Sequence, residues 1–393
     1  MSQFLHGIET VEIDDGIRPI ATARSSIIGL VGTAPDADTA AFPLDTPVLV
    51  SGPRAAALLG ATGSLQSAYK AAYAQGVGIA IVVRVAAGAD ASETLANVTG
   101  EIATGTGAYA LLAASSLLGQ TPRILAAPGF TGPQNGLASP VVAALLSVAG
   151  RLRAVVVADG PSTTEAEAVA YAGLFGSDRL YIVDPAVISY DTASAAYITQ
   201  PASSFVAGVI SATDAARGFW WSPSNQIING VTGTARPIEF ALAQADTEAN
   251  RLNEAKIATV VRQNGFRLWG NRSTASDPLW AFLPVRRTAD MVYESIEAAL
   301  LWAMDRPFSE QLLRDIRDSV QAYLDTLKMR GAILGGRTWI DAEKNTEATL
   351  KAGQLFIDFD IEPPAPLERL TFSAHREGSY YDELISSVSN ASI

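Results

Sequence analysis

"RLRAVVVADGPSTTEAEAVAYAGLFGSDRLYIVDP" (residues 151–185) places one helical segment between two short β-branched runs. The runs at 151–160 and 179–185 are apolar and end in Gly and Pro, which is typical of strands buried on both faces. Between them, Ser162 is followed three positions later by Glu165. This capping-box pattern predicts that a helix begins at Ser162. A strand, a helix and a second strand in this order predict a parallel pair of strands.

The same alternation extends outward over residues 45–220. Further strand-like runs lie at 77–85 and 122–129, and an Ala-rich helical segment lies at 139–150. Ser25 to Val31 reads as one more buried strand. Continuous apolar strands separated by helices predict a largely parallel sheet that is covered on both faces.

The texture changes after about residue 250, where two amphipathic helices are predicted at 286–305 and 309–331. Ser309 is the expected N-cap of the second helix, and Gly331 its expected C′ residue. The first apolar stripe comprises Met291, Val292, Ile296, Ala299, Leu300 and Ala303. The second comprises Leu312, Leu313, Ile316, Val320, Leu324 and Leu327.

The remaining segments show strand alternation or scattered apolar residues. Residues 353–374 predict two strands, as a hairpin or a sheet edge, with Asp358, Asp360 and Glu362 on one face. At the start of the chain, Val11 and Ile13 alternate with acidic residues in a polar, strand-like arm. The last stretch, 378–393, is a polar tail with a few apolar anchors.

Composition limits the functional classes. The 393 residues are enough for two or three domains. Charged residues make up only 17%, below the usual value of about 25%, which favours a subunit that hides surface against partners. No cysteine is present, which excludes disulfides and thiolate sites. A net charge of −12 argues against nucleic-acid binding, and no apolar run reaches the roughly 20 residues of a membrane span.

The sequence contains few residues suited to catalysis. The only histidines, His6 and His375, lie near the ends of the chain, and no serine elbow or phosphate loop is present. The nearest dinucleotide-like match, "GTGAYA" (105–110), does not follow a convincing strand. The acidic face of 358–362 reads as solvated or as protection of a sheet edge. We therefore predict no enzyme and no cofactor or metal.

The aromatic segment "GFRLWGNRSTASDPLW" (265–280) has two interpretations. As an active-site loop it would use Arg267, Asn271, Arg272 and Asp277 as polar groups. As a structural corner it would turn at Gly270-Asn271 and again at Asp277-Pro278, with both Trp packed between layers. No nucleophile, base or phosphate cradle elsewhere is available to cooperate with it, which favours the corner.

This corner, together with "VRRTADMVYESIEAALLWAMDRPFS" (285–309), "LDTLKMRGAI" (324–333) and "AGQLFIDFDIEPPAPLERLTF" (352–372), resembles the tail sheath proteins of contractile phage tails. "HGIETVEIDDGIRPI" (6–20) and "FWWSPSNQIINGVTGTARPIEF" (219–240) carry the same resemblance, which is closest to P2-like phage and R-type pyocin sheaths.

The resemblance implies an α/β and α+β fold in two layers. A mostly parallel outer α/β domain (21–245) is inserted into an inner α+β domain, which combines the N-terminal arm and first strand (1–20) with residues 246–375. A C-terminal arm (376–393) follows, and both terminal arms are extended. The implied function is a sheath of stacked hexameric rings around an inner tail tube, which shortens to drive the tube through a cell envelope. The implied partners are other copies, the tube, the baseplate and the tail terminator, in a virion tail or tailocin assembled in bacterial cytoplasm.

In such sheaths the arms add strands to neighbouring subunits. The expected arm residues are Ile8, Val11, Ile13, Tyr380, Tyr381, Leu384, Ile385 and Val388. The expected receiving strands contain Leu355, Ile357, Phe359, Leu370 and Phe372. The helix at 309–331 is expected to face the tube through Arg314, Arg317, Lys328 and Arg330. Two alternatives stay open at this point: a non-contractile tube or shell subunit, and an α/β hydrolase or nucleotide-binding enzyme.

Overall fold

A computed structural model describes residues 19–390, with only the backbone of Asn390. The predicted N-terminal arm residues Ile8, Val11 and Ile13 therefore lie outside the described residues, as does almost all of the expected first strand of the inner domain.

Strands and α-helices follow one another through most of the described part of the chain. The strands are β1 (Ile28–Thr33), β2 (Pro47–Val50), β3 (Ala80–Val85), β4 (Ile124–Ala126), β5 (Val155–Asp159), β6 (Leu180–Val183), β7 (Val187–Asp191), β8 (Ala196–Gln200), β9 (Val231–Thr234), β10 (Ile257–Arg262), β11 (Phe266–Trp269), β12 (Gly335–Ile340) and β13 (Ile357–Glu362). The α-helices are α1 (Pro53–Ala57), α2 (Leu65–Tyr73), α3 (Ala91–Thr99), α4 (Ala114–Leu118), α5 (Pro140–Leu152), α6 (Glu165–Ala172), α7 (Ala202–Arg217), α8 (Glu248–Glu254), α9 (Leu283–Ala299), α10 (Glu310–Met329), α11 (Glu347–Lys351) and α12 (Tyr380–Asn390).

The main sheet has eight strands in the order β11-β10-β6-β5-β4-β1-β3-β2. The six strands from β10 to β3 run parallel to their neighbours, and only the edge strands β11 and β2 are antiparallel. The prediction of a mostly parallel sheet is confirmed. A separate three-stranded antiparallel sheet, in the order β8-β7-β9, follows the carboxyl end of β6.

Helices cover both faces of the main sheet, because alternate strand residues point to opposite sides. On one face, Leu30 and Val82 pack with α2 and α7. On the other face, Val31 and Ile81 pack with α5, α6 and α8. This two-sided burial explains why the strands read as continuous apolar runs in the sequence.

The start of α6 differs from the prediction by a few residues. Thr164, not Ser162, is the N-cap, and its hydroxyl accepts from the Glu167 amide at 3.2 Å. Ser162 has a φ of +60° and its hydroxyl accepts from the Ala186 amide at 3.0 Å. The predicted cap at Ser162 is wrong because this serine closes a turn against the strand end after β6.

The main sheet continues past residue 245. Ile257 in β10 pairs with Ile182 in β6, and β11 then forms the sheet edge. Both strands fall within the range 246–375 that is expected for the inner domain, and their hydrogen bonds join them to the main sheet. The strands of the main sheet therefore extend to Trp269.

The chain that follows residues 265–280 forms a second apolar core, which lies between α9, α10 and the sheet of β12 and β13. Buried members include Met291 and Ile296 from α9 with Val320 and Leu324 from α10. The predicted stripe of α10 is confirmed, as are its N-cap Ser309, which accepts from the Leu312 amide at 3.1 Å, and Gly331 with a φ of +75°. Helix α9 ends at Ala299, earlier than predicted.

The last part of the chain corrects two predictions. Strand β13 pairs with β12, so the hairpin between 353–362 and 368–374 is wrong; Leu370 and Phe372 are exposed and lie outside any strand. The C-terminal arm is not extended throughout, because residues 380–390 form helix α12. Its apolar residues are spaced for a helix rather than for a strand.

Candidate assembly interface

The small sheet of β12 and β13 has two open edges. The two strands are antiparallel, with residue pairs that run from Gly335 opposite Glu362 to Ile340 opposite Ile357. Within the described residues no further strand joins either side. One face lies against α10, where Phe359 and Ile361 border the buried core. Of the predicted receiving residues, Ile357 and Phe359 lie in β13, Leu355 lies two positions before it, and Leu370 and Phe372 lie outside any strand. Unpaired backbone on such edges is available to a strand from another chain.

The opposite face of this small sheet is charged. Arg337 binds Asp360 (Nε to Oδ2, 2.7 Å) and Lys344 binds Asp358 (Nζ to Oδ1, 2.6 Å). The hydrogen bond to Asp358 raises the pKa of Lys344. Asp358 and Asp360 therefore have basic partners and face away from the core, as the residues of a solvated face would.

The segment after β13 is exposed from residue 367 onward. An ion pair between Glu368 and Arg272 joins this segment to the corner segment, with Oε2 and Nη2 2.8 Å apart. Beyond it, the predicted arm residues Tyr380, Tyr381, Leu384, Ile385 and Val388 are each at least 60% exposed. An apolar stripe with this much exposure marks a contact surface.

The four basic residues expected to face the tube lie on or just after α10. Arg314 forms an ion pair with Glu310, and Arg317 forms one with Asp318 at 2.7 Å. Both pairs lie on the exposed surface of α10. Lys328 lies in the last turn and Arg330 is the C-cap residue. All four are exposed, but the charges of Arg314 and Arg317 are already balanced by their acidic partners on α10.

A buried charged stripe on α9 was not among the predicted features. Asp290 is 1% exposed and receives two hydrogen bonds from Arg179, at 2.6 and 2.8 Å, and one from Arg286 at 2.9 Å. Arg287 binds Asp214 at the end of α7, with Nη1 and Oδ1 2.7 Å apart. These ion pairs join α9 to the main-sheet unit through residues distant in sequence.

The stripe continues along α9. Glu294 binds Arg123, which precedes β4, at 2.5 Å, and Glu297 binds Arg153, which ends α5, at 2.6 and 2.7 Å. Charged groups at spacings of three and four residues resemble a solvated helix face, which is why no local pattern indicated their distant partners. Directional ion pairs of this kind fix the relative orientation of the elements that they join.

The segment 265–280 is a structural corner. Gly270 has a φ of +145°, and a Cβ there would meet the Ala258 Cα at 2.8 Å. The Tyr181 hydroxyl donates to the Gly270 carbonyl at 2.6 Å, and Trp269 packs edge-on against Phe240. Arg267 donates to the Asn225 carbonyl at 2.7 Å. These polar groups hold backbone, which favours the corner over the active-site interpretation.

The carboxyl end of the parallel sheet, where α/β enzymes bind ligands, is occupied by internal contacts. Asp159 accepts from the Ser203 amide and hydroxyl at 2.8 and 2.7 Å, which ties β5 to the first turn of α7. Burial raises its pKa. Asp184 binds the Ser162 amide at 2.6 Å and Arg236 at 2.5 Å. Residues 19–390 contain no group of acidic or histidine side chains placed to hold a metal ion.

No helix in the described part of the chain has the length and apolarity to cross a bilayer. Open sheet edges, an exposed apolar terminal stripe and a sheet end filled by internal hydrogen bonds are features of a subunit of a larger structural assembly. Comparison with known proteins agrees. Residues 103–274 match the phage tail sheath protein central domain, and residues 275–376 match the phage tail sheath C-terminal domain.

Full-length relatives carry the same assignment. A prophage protein of Pseudomonas aeruginosa (strain UCBPP-PA14) that bears the name major tail sheath protein is 40% identical over 370 residues, covering 92% of this chain and 94% of that protein. The tail sheath protein of Escherichia phage P2 is 35% identical over 401 residues, covering 99% of this chain and 100% of that protein. The chain therefore belongs to the phage tail sheath protein family, whose members are structural proteins and not enzymes.

The fold is also that of a solved sheath. The helical sheath of the anti-feeding prophage in its contracted state matches with a TM-score of 0.70 and 20% identity, covering 96% of this chain and 100% of that one. The boundary between the two matched sheath domains, at 274/275, falls within the corner segment, after β11.

Proposed function

We propose that this chain polymerises around an inner tail tube and contracts, so that the tube is driven through a target cell envelope. The observation that carries the proposal is the small β12–β13 sheet, which has two open edges in a chain of the tail sheath family. The polymer consists of stacked hexameric rings, and its outer partners are the baseplate and the tail terminator. The particle is a virion tail or tailocin assembled in the bacterial cytoplasm.

The terminal arms are the joints of this polymer. The N-terminal arm, through Ile8, Val11 and Ile13, and the C-terminal arm each add to a sheet of another copy, and the open edges of β12 and β13 receive them. An arm that forms about five backbone hydrogen bonds, each with a net value of roughly 0.5–1.5 kcal/mol, stabilises its joint by several kcal/mol. Because the two arms reach different neighbours, the contacts are head-to-tail and propagate along the sheath.

Contraction proceeds by movement of whole subunits. The ion pairs of Asp290, Glu294 and Glu297 support this, because they hold α9 in one orientation against the main-sheet unit. In radial terms, the unit with α9, α10 and the small sheet forms the inner domain, and the main-sheet unit forms the outer domain. The free energy is stored in a metastable extended lattice, so no nucleotide is required.

The inner domain contacts the tube through α10. Its exposed face carries Arg314, Arg317 and Lys328, and Arg330 follows at the C-cap. The local pairs with Glu310 and Asp318 limit the electrostatic attraction that Arg314 and Arg317 provide. Shape and polar contacts along the helix therefore contribute to the grip.

Truncation of the arms tests the proposal. We expect chains lacking residues 1–15, or the last dozen residues, to keep the circular dichroism and unfolding transition of the full chain but to form no sheaths in negative-stain images. Full-length polymers should shorten and widen after acid or urea treatment. Normal tubular polymers from either truncation contradict the arm joints, and polymers of unchanged dimensions indicate a static tube or shell instead.

A further inference from the structure

The C-terminal segment contains two parts with different periodicity. In residues 368–374, Leu370 and Phe372 alternate with polar neighbours, which is the period of a strand. After Gly378, the apolar residues of α12 follow at spacings of one and three, so they form one stripe along a helix. A single strand would divide that stripe between its two faces. One extended arm therefore does not account for the whole segment.

We propose that the C-terminal joint is a strand followed by an anchor helix: residues 368–374 add to an open edge of the small sheet of a second copy, and α12 docks its apolar stripe on that same copy. This inference rests on the proposed function, since it specifies how the C-terminal arm makes its contact. In this arrangement the strand of the C-terminal joint is formed by residues 368–374, which precede the predicted arm (376–393).

The length of the chain determines which copy receives α12. Five residues, 375–379, separate the added strand from the helix, and five extended residues span at most about 18 Å. The helix, with 11 residues, is itself about 16 Å long. A strand paired with one copy therefore delivers α12 to the surface next to that copy's small sheet.

A surface with matching chemistry borders the small sheet. Met329 and Leu334 are 81% and 64% exposed at the turn between α10 and β12, beside Lys328 and Arg330. The Leu334 amide donates to the Glu362 carbonyl at 2.7 Å, so this turn adjoins the end of β13. Between residues 19 and 390, Lys328 and Arg330 form no ion pair, in contrast to Arg314 and Arg317.

The charge of α12 is complementary to this turn. Asp382 and Glu383 lie in its first turn, and residues 380–390 contain no basic side chain. An acidic, apolar helix against a basic, apolar turn satisfies both the hydrophobic and the electrostatic requirement of a specific contact. The docking surface on the second copy is therefore the turn formed by Lys328, Met329, Arg330 and Leu334, which leaves the contact of α10 with the tube to Arg314 and Arg317.

The helix depends on that contact for stability. Isolated helices shorter than about 12–15 residues are marginal in water, and α12 has 11. Its serines also bond back to carbonyls of the preceding turn, as Ser389 does to Ile385 at 3.0 Å, which does not favour helix over coil. The helix should fluctuate in free subunits and become firm on docking.

Hydrogen exchange on the full chain, followed by mass spectrometry, tests the inference. Assembly into polymers should slow exchange at least about tenfold in 368–374 and in 380–390. In a Leu384→Asp, Ile385→Asp chain, 368–374 should keep this protection while 380–390 loses it. The matched control, Ser386→Asp with Ser389→Asp, adds the same charge away from the stripe and should behave as the unaltered chain.

A charge exchange locates the docking surface. Lys328→Glu with Arg330→Glu should remove protection of 380–390 in polymers, and adding Asp382→Lys with Glu383→Lys to that chain should restore it. Unprotected 380–390 in polymers of the unaltered chain, or protection that survives both sets of changes, overturns the inference while leaving the sheath function intact. If the unaltered chain forms no polymers, the proposed function itself fails, and this inference fails with it.

Discussion

Arg179 and Asp290 form a two-pronged ion pair across the junction of the main-sheet unit and α9, with N–O distances of 2.6 and 2.8 Å. Arg179 precedes β6, whereas Asp290 lies at the centre of α9 and is also bound by Arg286. The pair therefore links the main-sheet unit to the unit that contains α9. Its burial distinguishes it from the surface pairs on α10.

Removal of Asp290 should be strongly destabilising. In Asp290→Ala, Arg179 and Arg286 remain buried without their carboxylate, and loss of one partner of a buried pair costs about 3–5 kcal/mol. Urea unfolding of the monomer measures the change. Glu297→Ala is the matched control on the same helix, because the Glu297 side chain is 63% exposed and such pairs contribute about 0–1 kcal/mol. Equal losses in the two variants would argue against the buried junction.

The corner glycine provides a second test. Gly270→Ala places a Cβ at 2.8 Å from the Ala258 Cα and holds a non-glycine residue at a φ of +145°. We expect a loss of about 2–4 kcal/mol in the free energy of unfolding. Gly265→Ala, in the same hairpin, also has a positive φ but meets no atom within 4 Å, so it should lose about 1 kcal/mol. Thermal or urea unfolding should rank the two in this order.

The sequence predicted those strands and helices whose apolar pattern reflects a single kind of burial. Strands such as β5 and β6 were evident because burial on both faces leaves continuous apolar runs, and α10 because one stripe and two caps agree. Strand β12 was missed because "GGRTWI" contains two glycines and an arginine, and it became recognisable only through its partner β13. Its stability comes from pairing and from α10, which no local pattern reports.

The candidate interface was predicted only in outline. The resemblance predicted an extended arm that includes residues 380–388, whereas the apolar residues there have the spacing of a helix and form α12. The buried charges of α9 were equally hidden, because Arg286, Arg287 and Asp290 look like a solvated face until their distant partners are known. Arg287 and Asp214 lie 73 positions apart, and such contacts are set by topology rather than by local sequence.

A surface ion pair should make a small, pH-dependent contribution. Arg251 binds Glu165 at 2.7 and 2.8 Å and ties α8 to α6, and this hydrogen bonding lowers the pKa of Glu165 below its ordinary 4.5. A lowered folded-state pKa gives stability that is present above the unfolded-state pKa and is lost as the pH falls through the folded-state value. Glu165→Gln should therefore cost up to about 1 kcal/mol at neutral pH.

That difference should vanish in acid. Urea unfolding of both chains at neutral pH, and again well below the ordinary glutamate pKa of 4.5, follows the contribution directly. Glu101→Gln is a control at an exposed glutamate whose side chain forms no ion pair in the described residues. A difference between Glu165→Gln and the unaltered chain that grows on acidification would contradict the assignment to this pair.

The exposed arginines of α10 test the contact with the tube apart from subunit stability. Arg314→Glu with Arg317→Glu removes two surface pairs that together contribute no more than about 1–2 kcal/mol, so the subunit should remain folded. If α10 faces the tube, the reversed charges should reduce the fraction of tubes that carry extended sheath, counted in negative-stain images. Arg314→Lys with Arg317→Lys keeps the charge and should leave that fraction nearly unchanged. Sheaths of normal length on tubes from the reversed chain would show that α10 does not grip the tube through these residues.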